Sequence, residues 1–508
     1  MLISIDTFGG IAPRIIDPAL LPQGKAQFAK NIRTDKGGMS PLQEDMPVEA
    51  QSKSGTILSL FRYHDGKFFS WLSDVDVVTA PISDDSSKRV YFTENGEFRV
   101  TDKNIYKVGG TDYPMVSYNP CPPAPTAAPV LSSSSGKDPI TSLSIANSSC
   151  GEANGTYNLI FTAGGGTGAA GTYTVSGGVI ILVTLTTGGL YTSNPTVSTQ
   201  SGSGLITASG VRDATLVETR GYVYTFVNGY GSEGPPSPVS ELVDVYDGDK
   251  VSISGLTTSI DSDYNITKKR IYRLNQSSTG AQYQFVIELD VAISSYDDEI
   301  EDSSLGEVLA SAEWDGPPIG IKGIIALPNG ALAGYVNNIL CFSEPYYPHA
   351  WPVSYQKYVD KPIVALGAFG TTIAVLTSGR PYLAVGSHPS NVVMEAMDLG
   401  HSCMSKRGTV QAGDVVIYPA PDGIVAIGPS IREVLTEGII SREDWNSRYN
   451  PPSITAFYWE GHYVAFCNVG RRNFGFIFNV KTKELTDLTF YATAGYRDPG
   501  TGMLFLVK

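Results

Sequence analysis

The stretch Asp414–Pro429, DVVIYPAPDGIVAIGP, contains two short apolar runs separated by Pro-Asp-Gly and followed by Gly-Pro. Apolar runs of this length, bounded by turn residues, predict two β-strands rather than a helix. The glycine supplies a backbone conformation that other residues resist, as a tight turn requires. The stretch therefore predicts a β-hairpin, and its recurrence along the chain decides the fold.

The same plan recurs from about residue 320 to the end of the sequence. Each unit has a strand, a turn such as Pro328-Asn329-Gly330 or Trp459-Glu460-Gly461, and a second apolar strand. The units begin near Ile324, Ile363, Asp414, Ile454 and Ala492. Their spacing of about 40 to 50 residues matches the four-stranded blade of a β-propeller. In this interpretation Asp414–Pro429 is the inner hairpin of one blade.

Two upstream hairpins fit the same plan, with turns at His64-Asp65-Gly66 and Glu94-Asn95-Gly96. One or two blades therefore precede residue 110, and the others follow residue 320. Because a blade cannot bury both faces alone, the two groups are expected to complete one ring. The prediction is an all-β chain built on an interrupted β-propeller of five or six blades.

The sequence between the two groups predicts two inserted modules. Residues 130–212 are rich in Gly, Ser and Thr, which is typical of disorder, but alternation in TYTVSGGVIILVTL favours a small β module. About seven short alternating strands over 213–317 predict a β-sandwich of the immunoglobulin or fibronectin type. The predicted division is 1–116, N-terminal arm and first blades; 117–129, Pro-rich linker; 130–212, Gly-rich module; 213–317, sandwich; 318–508, remaining blades.

Composition agrees with an all-β chain and argues against tight binding of nucleic acid. The 508 residues include 54 Gly and 28 Tyr, and 17% are charged, which favours strands and many turns. The formal net charge is −14, with a pI near 4.9. Tight nucleic-acid binding requires clustered Lys and Arg to neutralise phosphates, so this balance argues against it. It does not exclude DNA passing nearby.

No apolar run approaches the length of about 18 residues that spans a membrane, and the N-terminus lacks the pattern of a secretory leader. The five cysteines are scattered, without CxxC spacing. We therefore expect reduced, mostly buried thiols in a protein made in a cytoplasm, and neither disulfides nor a zinc site.

Three motifs suggest chemistry, and each has a simpler explanation. His401 and Cys403 in GHSCMSKRG suggest a thiol and its base, but two-residue spacing in a loop does not provide hydrogen-bond geometry. The run AGGGTGAAGT lacks the Lys-Ser/Thr ending of a phosphate-binding loop. Calcium ligands or solvated turns are alternatives for the acidic clusters Asp74/Asp76, Asp261/Asp263 and Asp297-Asp298-Glu299. We predict no catalytic, metal-binding or cofactor-binding residues, and no cofactor.

The N-terminal segment carries a different pattern. Pro22 stands where a short helix could begin, and Ala26, Ala29 and Ile32 would lie near one face of that helix. Gly37-Gly38 then returns the chain to a strand. A strand, helix and strand that close the propeller and an arm that docks on another chain are equally good interpretations.

Several of these patterns together resemble a known family. The order F-G-G-x-x-P-R…L-L-P…A-x-x-A-x-N…G-G…P-L covers Phe8 to Leu42, and YxYTFVNxxGxExxPS covers Tyr222 to Ser237. A third region runs from LCFSEPYYPHAWP to LTEGIISREDW, Leu340 to Trp445. These patterns resemble the tail nozzle or tail tubular proteins of short-tailed bacteriophages, also called packaged-DNA stabilisation proteins. The resemblance covers most of the chain except the Gly-rich insertion.

The resemblance implies a structural virion protein without enzymatic activity, made in the bacterial cytoplasm and assembled into the tail. It implies a homo-oligomer, usually a hexameric ring, that continues the channel of the portal and adaptor proteins and adjoins tail fibres or spikes. Genomic DNA would pass through the lumen without tight binding. Candidate inter-subunit or adaptor contacts are Phe8, Arg14, Leu20, Leu21, Lys406, Arg407, Arg471 and Arg472. The alternative function is a glycan-binding or depolymerising phage tail protein that recognises the receptor; a secreted adhesin is disfavoured by the N-terminus.

Overall fold

The computed structural model describes residues 7–12, 21–34, 38–134, 137–210, 217–246, 249–277 and 280–508. These residues form an all-β structure, whose single α-helix is Arg442–Tyr449. The chain forms two compact units: unit 1 consists of 1–122, 262–265 and 313–508, and unit 2 of 123–261 and 266–312. Short 3-10 turns occur at Ser262–Tyr264, Asp302–Ser304, Ser311–Glu313, Val353–Tyr355, Pro389–Asn391 and Pro451–Ser453.

Among the helices of the described residues, none combines the length and the hydrophobicity needed to span a bilayer.

The described residues of unit 1 form seven antiparallel sheets in chain order, apart from a short pairing of Ile32–Arg33 with Ser40–Pro41. Four consecutive sheets have four strands each, and every strand pairs with its neighbour in sequence. Sheet 1 contains Ser59–Arg62 and Phe68–Trp71, and sheet 2 contains Asp76–Thr79, Val90–Glu94 and Glu97–Thr101. The four-stranded sheets are sheet 3, with Lys322–Ala326, Leu332–Val336, Ile339–Phe342 and Lys357–Tyr358; sheet 4, with Ile363–Phe369, Thr372–Thr377, Tyr382–Val385 and Val393–Ala396; sheet 5, with Val410–Ala412, Val415–Ala420, Gly423–Ile427 and Arg432–Val434; and sheet 6, with Thr455–Trp459, His462–Val469, Arg472–Asn479 and Glu484–Leu488. Sheet 7 contains Ala494–Arg497 and Leu504–Val507.

The hairpin predicted at Asp414–Pro429 is confirmed, but its position in the sheet is not the predicted one. Val415–Ala420 pairs with Gly423–Ile427 through the Pro-Asp turn, and all but one of these strand residues are buried. They are the second and third strands of sheet 5, whereas we expected the first two. The first strand, Val410–Ala412, has three residues, which is too short to produce a recognisable alternation.

The short helix that Pro22 suggested does not form within residues 21–34. Gly24 adopts a φ of +80°, and the chain continues extended, with Ala26 bridged to Ile11 and Lys30 bridged to Asp487 in parallel. Backbone bonds from Ile11 N to Leu485 O and from Asp487 N to Ala29 O replace intrahelical bonds. The segment thus covers the edge of the last strand of sheet 6. Hydrogen bonding to the otherwise unpaired backbone groups of that strand stabilises the extended segment more than a short helix would be stabilised.

In unit 2, the part of the chain that the structure describes forms five antiparallel sheets. The Gly-rich stretch forms two of them around a core that includes Ile140, Tyr173 and Ile206. Its strands are Gly155–Asn158, Thr167–Ser176 and Val179–Leu190 in one sheet, and Ile160–Thr162, Thr196–Ser198, Leu205–Ser209 and Ser142–Asn147 in the other. The other three sheets contain Val217–Arg220 with Val243–Tyr246; Tyr222–Asn228, Ile266–Ser277 and Gly280–Asp290; and Tyr296–Asp298, Lys250–Ser254 and Val130–Ser134.

One predicted boundary is displaced. Val130–Ser134, which the sequence assigned to the Gly-rich module, pairs with Lys250–Ser254 of the following module. Leu131 packs on the core that contains Tyr222 and Ile253. Backbone pairing with a strand about 120 residues away in the sequence, together with the packing of Leu131, overrides the local Ser-rich composition.

We predict that Gly10→Ala loosens the N-terminal segment from sheet 6. A Cβ at Gly10 would lie 2.7 Å from Leu485 N and 2.8 Å from Leu485 O, which are backbone atoms that cannot move aside cheaply. Gly461 is a matched control, because it has the same φ of +82° with no heavy atom within 4 Å of the added Cβ. The control isolates the backbone strain of about 1 kcal/mol.

Urea unfolding is expected to give a loss of about 2–3 kcal/mol for Gly10→Ala and about 1 kcal/mol for Gly461→Ala. Limited proteolysis should cleave the N-terminal segment faster in Gly10→Ala only. Equal losses in the two variants would contradict the docking of this segment on Leu485.

Candidate functional site: an ion-pair cluster at the first strands

Four charged side chains from distant parts of unit 1 form what we call the ion-pair cluster: Asp74, Asp76, Lys406 and Arg407. Lys406 Nζ lies 2.6 Å from Asp76 Oδ1 and 3.1 Å from Asp74 Oδ1. Arg407 Nη2 lies 2.8 Å from Asp74 Oδ1. Two cations therefore face two carboxylates, and the cluster is neutral overall.

The hydrogen bonds of the cluster extend to neighbouring strands. Arg407 donates to Leu58 O and, over 2.6 Å, to Ser59 Oγ. The Gly323 amide donates to Asp76 Oδ2 over 2.6 Å, and the Ala456 amide donates to Arg407 O over 2.9 Å. Each residue lies in, or shortly before, the first strand of a sheet, so the cluster connects sheets 1, 2, 3, 5 and 6.

Ser59 links the cluster to the start of sheet 2. Its hydroxyl donates to Ser73 O over 2.9 Å and accepts from the Val75 amide over 2.8 Å. Because the same oxygen also accepts from Arg407, Ser59 is 6% exposed yet fully hydrogen-bonded. Sheets 1 and 2 are thereby fixed to each other and to the segment before sheet 5.

The neighbouring charges favour the ionised form of Asp74. Burial alone would raise the pKa of Asp74, but the charges of Lys406 and Arg407 outweigh burial and lower that pKa. Burial, with Asp76 and Asp74 nearby, raises the pKa of Tyr335, so this phenol stays protonated and donates to Val364 O. Every titratable group of the cluster is thus committed to a partner within the unit.

The other sequence-based candidate contacts are dispersed. Phe8 is 8% exposed in the core that holds Ile11 and Leu485, so its ring is used within unit 1 rather than presented to a neighbour. Leu21 is half-buried, and Arg14 and Leu20 lie outside the described residues. Arg471 and Arg472 are exposed at a hairpin end of sheet 6.

Of the six candidates that the structure describes, Arg471 and Arg472 are neighbours at a hairpin end, and Lys406 and Arg407 share the ion-pair cluster. Their side chains are 19% and 24% exposed, and their charges are compensated by Asp74 and Asp76 of the same chain. A subunit contact through these two cations would require their intramolecular pairs to break. An inter-subunit or adaptor role for the eight candidate residues stays a prediction.

The thiol and imidazole of GHSCMSKRG do not form a catalytic pair. Cys403 Sγ faces Ser405 O and Thr409 Oγ1, and burial raises the pKa of this thiol to about 11. His401 Nδ1 instead lies 3.0 Å from Asp422 Oδ2. A buried protonated thiol is a poor nucleophile. All five cysteines are free and buried, as predicted.

The acidic clusters pair with cationic side chains. Asp263 accepts two hydrogen bonds of 2.7 Å from Arg99, and Asp297 lies 2.9 Å from Lys250 Nζ. Asp298 pairs with the fully buried Arg273 over 2.8 Å. Within the described residues, no group of three or more His, Cys, Asp or Glu side chains is arranged to hold a metal ion.

Neither a protein-family model nor a curated protein sequence matches this chain. Several solved structures show weak likeness. AztD from Citrobacter koseri is 10% identical, with a TM-score of 0.23, and the match covers 65% of this chain and 94% of that one. The Dos1 propeller is 8% identical, with 90% of both chains covered and a TM-score of 0.27. Sqt1 from Saccharomyces cerevisiae is 9% identical, with 75% and 96% covered and a TM-score of 0.24. No conclusion about this chain rests on likenesses of this size.

We predict that Lys406→Met lowers the free energy of unfolding by about 2–3 kcal/mol. The variant leaves Asp76, whose side chain is 18% exposed, without its nearest cation, and partial exposure reduces the cost of about 3–5 kcal/mol expected for a fully buried pair. Lys483→Met is the matched control, because Lys483 pairs over 3.2 Å with Glu433 where both side chains are more than 40% exposed. We expect the control to change stability by less than about 0.5 kcal/mol.

The pH dependence provides a second readout. The folded-state pKa of Asp74 is lowered from its ordinary value of 3.8, so its contribution is complete above that value and is lost as the pH falls through the lowered pKa. Urea unfolding between pH 7 and pH 2 should show a smaller acid-dependent loss in Lys406→Met than in the unmodified chain. Equal stability of Lys406→Met and Lys483→Met would refute a stabilising role for the cluster.

Proposed function

We propose that the sheets of unit 1 are the blades of a β-propeller whose ring is interrupted by unit 2. Four-stranded antiparallel sheets in sequential order, as in sheets 3 to 6, are the usual propeller blade. The first strand of sheet 3 lies next to those of sheets 2 and 4, and the first strand of sheet 7 lies next to those of sheets 6 and 1. This succession favours seven blades rather than the five or six expected from the sequence. Within unit 2 we infer a fibronectin-like sandwich from the three sheets around the Tyr222 core.

We propose further that the chain is a structural virion subunit of a short-tailed bacteriophage, forming the tail nozzle ring that continues the portal and adaptor channel. The observation that carries the proposal is the ion-pair cluster. A propeller that binds a substrate at its axis needs free polar groups there, whereas Asp74, Asp76, Lys406 and Arg407 bind one another. The sequence patterns at Phe8 to Leu42 and Leu340 to Trp445 support the nozzle family among structural roles.

The charge of the chain supports a channel that DNA crosses without adhering. A net charge of −14 per subunit, multiplied in a ring of six, repels phosphate along a bore lined by acidic or neutral loops. Closure would be steric, made by loops that narrow the channel, and opening would be a movement of those loops. In this proposal the protein is made in the bacterial cytoplasm and resides in the virion tail, next to fibres or spikes.

Particles assembled without this chain are expected to package a genome and then lose it. Complementation with the Lys483→Met chain should restore retention, whereas Lys406→Met should restore it less well when particles are stored warm. The measurement is nuclease-protected DNA per particle over time. The purified chain should show no appreciable affinity for duplex DNA near physiological salt.

Particles that retain their DNA and infect normally without the chain would refute the proposal. Release of reducing sugar from host surface polysaccharide by the purified chain would favour the depolymerising tail protein instead. Strong, salt-dependent binding of duplex DNA would contradict a repelling lumen and indicate a clamp.

A further inference from the structure

Tyr346 is held in an unusual and exposed conformation in the turn after sheet 3's third strand. Its φ is +64°, which is rare for a bulky residue, and its side chain is 56% exposed. The Tyr346 amide donates to Gly330 O over 2.8 Å, and Tyr347 N donates to Glu344 O over 3.1 Å. The backbone therefore maintains a strained residue whose ring faces solvent, as is frequent at binding sites.

Gly330 provides the surface on which this ring rests. A Cβ at Gly330 would lie 2.5 Å from Tyr346 Cε1, so only glycine permits the ring to lie against the backbone there. The adjacent Tyr347 ring is 44% exposed and packs on Trp314, with 4.6 Å between ring centroids. Two aromatic rings are thus fixed at the surface before any ligand arrives, which reduces the entropy cost of binding.

A carboxylate of this turn, that of Glu344, lies near the imidazole of His388, which follows the third strand of sheet 4. Glu344 Oε2 accepts a hydrogen bond of 2.7 Å from Tyr355 OH, and burial together with this bond raises the pKa of Tyr355 to about 12. The Tyr355 phenol therefore stays protonated and orients Glu344. The other oxygen, Glu344 Oε1, lies 3.8 Å from His388 Nε2.

The tautomer of His388 follows from its second nitrogen. His388 Nδ1 accepts from the Ser390 amide over 3.2 Å, so the proton of the neutral ring is on Nε2. At 3.8 Å, Nε2–H and Glu344 Oε1 are too far apart for a hydrogen bond. A donor and an acceptor thus lie side by side, 3.8 Å apart, and one hydroxyl placed beside both can accept from His388 and donate to Glu344.

A shallow cavity lies beside these groups, between sheets 3 and 4. It is small, with room for about one water molecule, and its lining includes Asn329, Phe342 and Pro389. Asn329 Nδ2 donates to Ser387 O over 3.1 Å, which ties the turn that supports the Tyr346 ring to the segment that carries His388. The Tyr346 ring and the His388–Glu344 pair therefore belong to one surface region, whose two segments this bond connects.

We propose that this surface region binds one neutral pyranose ring. The apolar face of the sugar ring would lie on Tyr346, and one hydroxyl would bridge His388 and Glu344. A neutral ligand suits a chain of net charge −14, which repels anions. A stable protein interface needs about 800 Å² on each partner, whereas the groups that this site orients match one ring with hydroxyls. The inference is independent of the proposed nozzle function and implies no hydrolysis.

The test uses the full chain and the methyl pyranosides of glucose, galactose, mannose and N-acetylglucosamine, with binding measured by saturation-transfer NMR and calorimetry. Tyr346→Asn removes the ring and keeps a residue that tolerates positive φ, so it should fold at least as well as the unmodified chain. Glu344→Gln and His388→Ala remove the two ends of the hydroxyl bridge. Tyr358→Ala is the matched control, an exposed tyrosine of the same sheet at 64% exposure.

At least one pyranoside should bind, with affinity reduced about tenfold or more in Tyr346→Asn, Glu344→Gln and His388→Ala and unchanged in Tyr358→Ala. Unfolding temperatures would confirm that each variant is folded. Binding of no pyranoside at millimolar concentration, or equal binding by Tyr346→Asn, would overturn the proposal. So would a change of oligomeric state in both Tyr346→Asn and Tyr358→Ala without sugar binding, which would assign this face to a protein contact.

Discussion

The pairing of Asp74 and Asp76 with Lys406 and Arg407 is the constraint on which unit 1 depends. About 330 residues separate Asp76 from Lys406, and unit 2 intervenes between them in the chain. Apolar contacts hold successive sheets together, but they do not select which sheet meets which. Side chains of opposite charge select the neighbouring sheet, because a misplaced sheet would leave a carboxylate or a cation without a partner.

The first and last sheets of unit 1 are joined by aromatic contacts, and the N-terminal segment packs on sheet 6. Phe61 and Phe68 of sheet 1 pack edge-on against Tyr496 and Phe505 of sheet 7, with ring centroids 5.1 Å apart in both pairs. The segment Ala29–Ile32 runs along the outer strand of sheet 6, where Thr486 Oγ1 donates to Ile32 O over 2.8 Å. That strand would otherwise present unpaired backbone groups to another chain. Aromatic contacts thus join sheets 1 and 7, while the segment Ala29–Ile32 protects an edge of sheet 6.

Local features of this fold were readable from the sequence, and long-range ones were not. Asp-Gly, Asn-Gly and Glu-Gly turns between apolar runs predicted the hairpins of sheets 1, 2, 5 and 6, because turn chemistry acts over a few residues. The strand Val410–Ala412 was missed because three residues carry no period. Pro22 suggested a helix because propensity is local, while bonding to Leu485 and Asp487 decided the outcome. Asp74 and Asp76 suggested a solvated turn or a calcium site because their partners, Lys406 and Arg407, are distant in sequence. Of the surface region around Tyr346, only the turn at Pro328-Asn329-Gly330 was predicted from the sequence.

Native-state hydrogen exchange on the full chain tests most directly whether the cluster makes unit 1 a single cooperative unit. The amides of Val75, Gly323 and Ala456 each donate into the cluster or to its Ser59 partner, from sheets 2, 3 and 6. We expect all three amides to exchange with the same opening free energy, and we expect Lys406→Met to lower the three values together. Exchange of Val75 well before Gly323 and Ala456, with no common response to Lys406→Met, would contradict it.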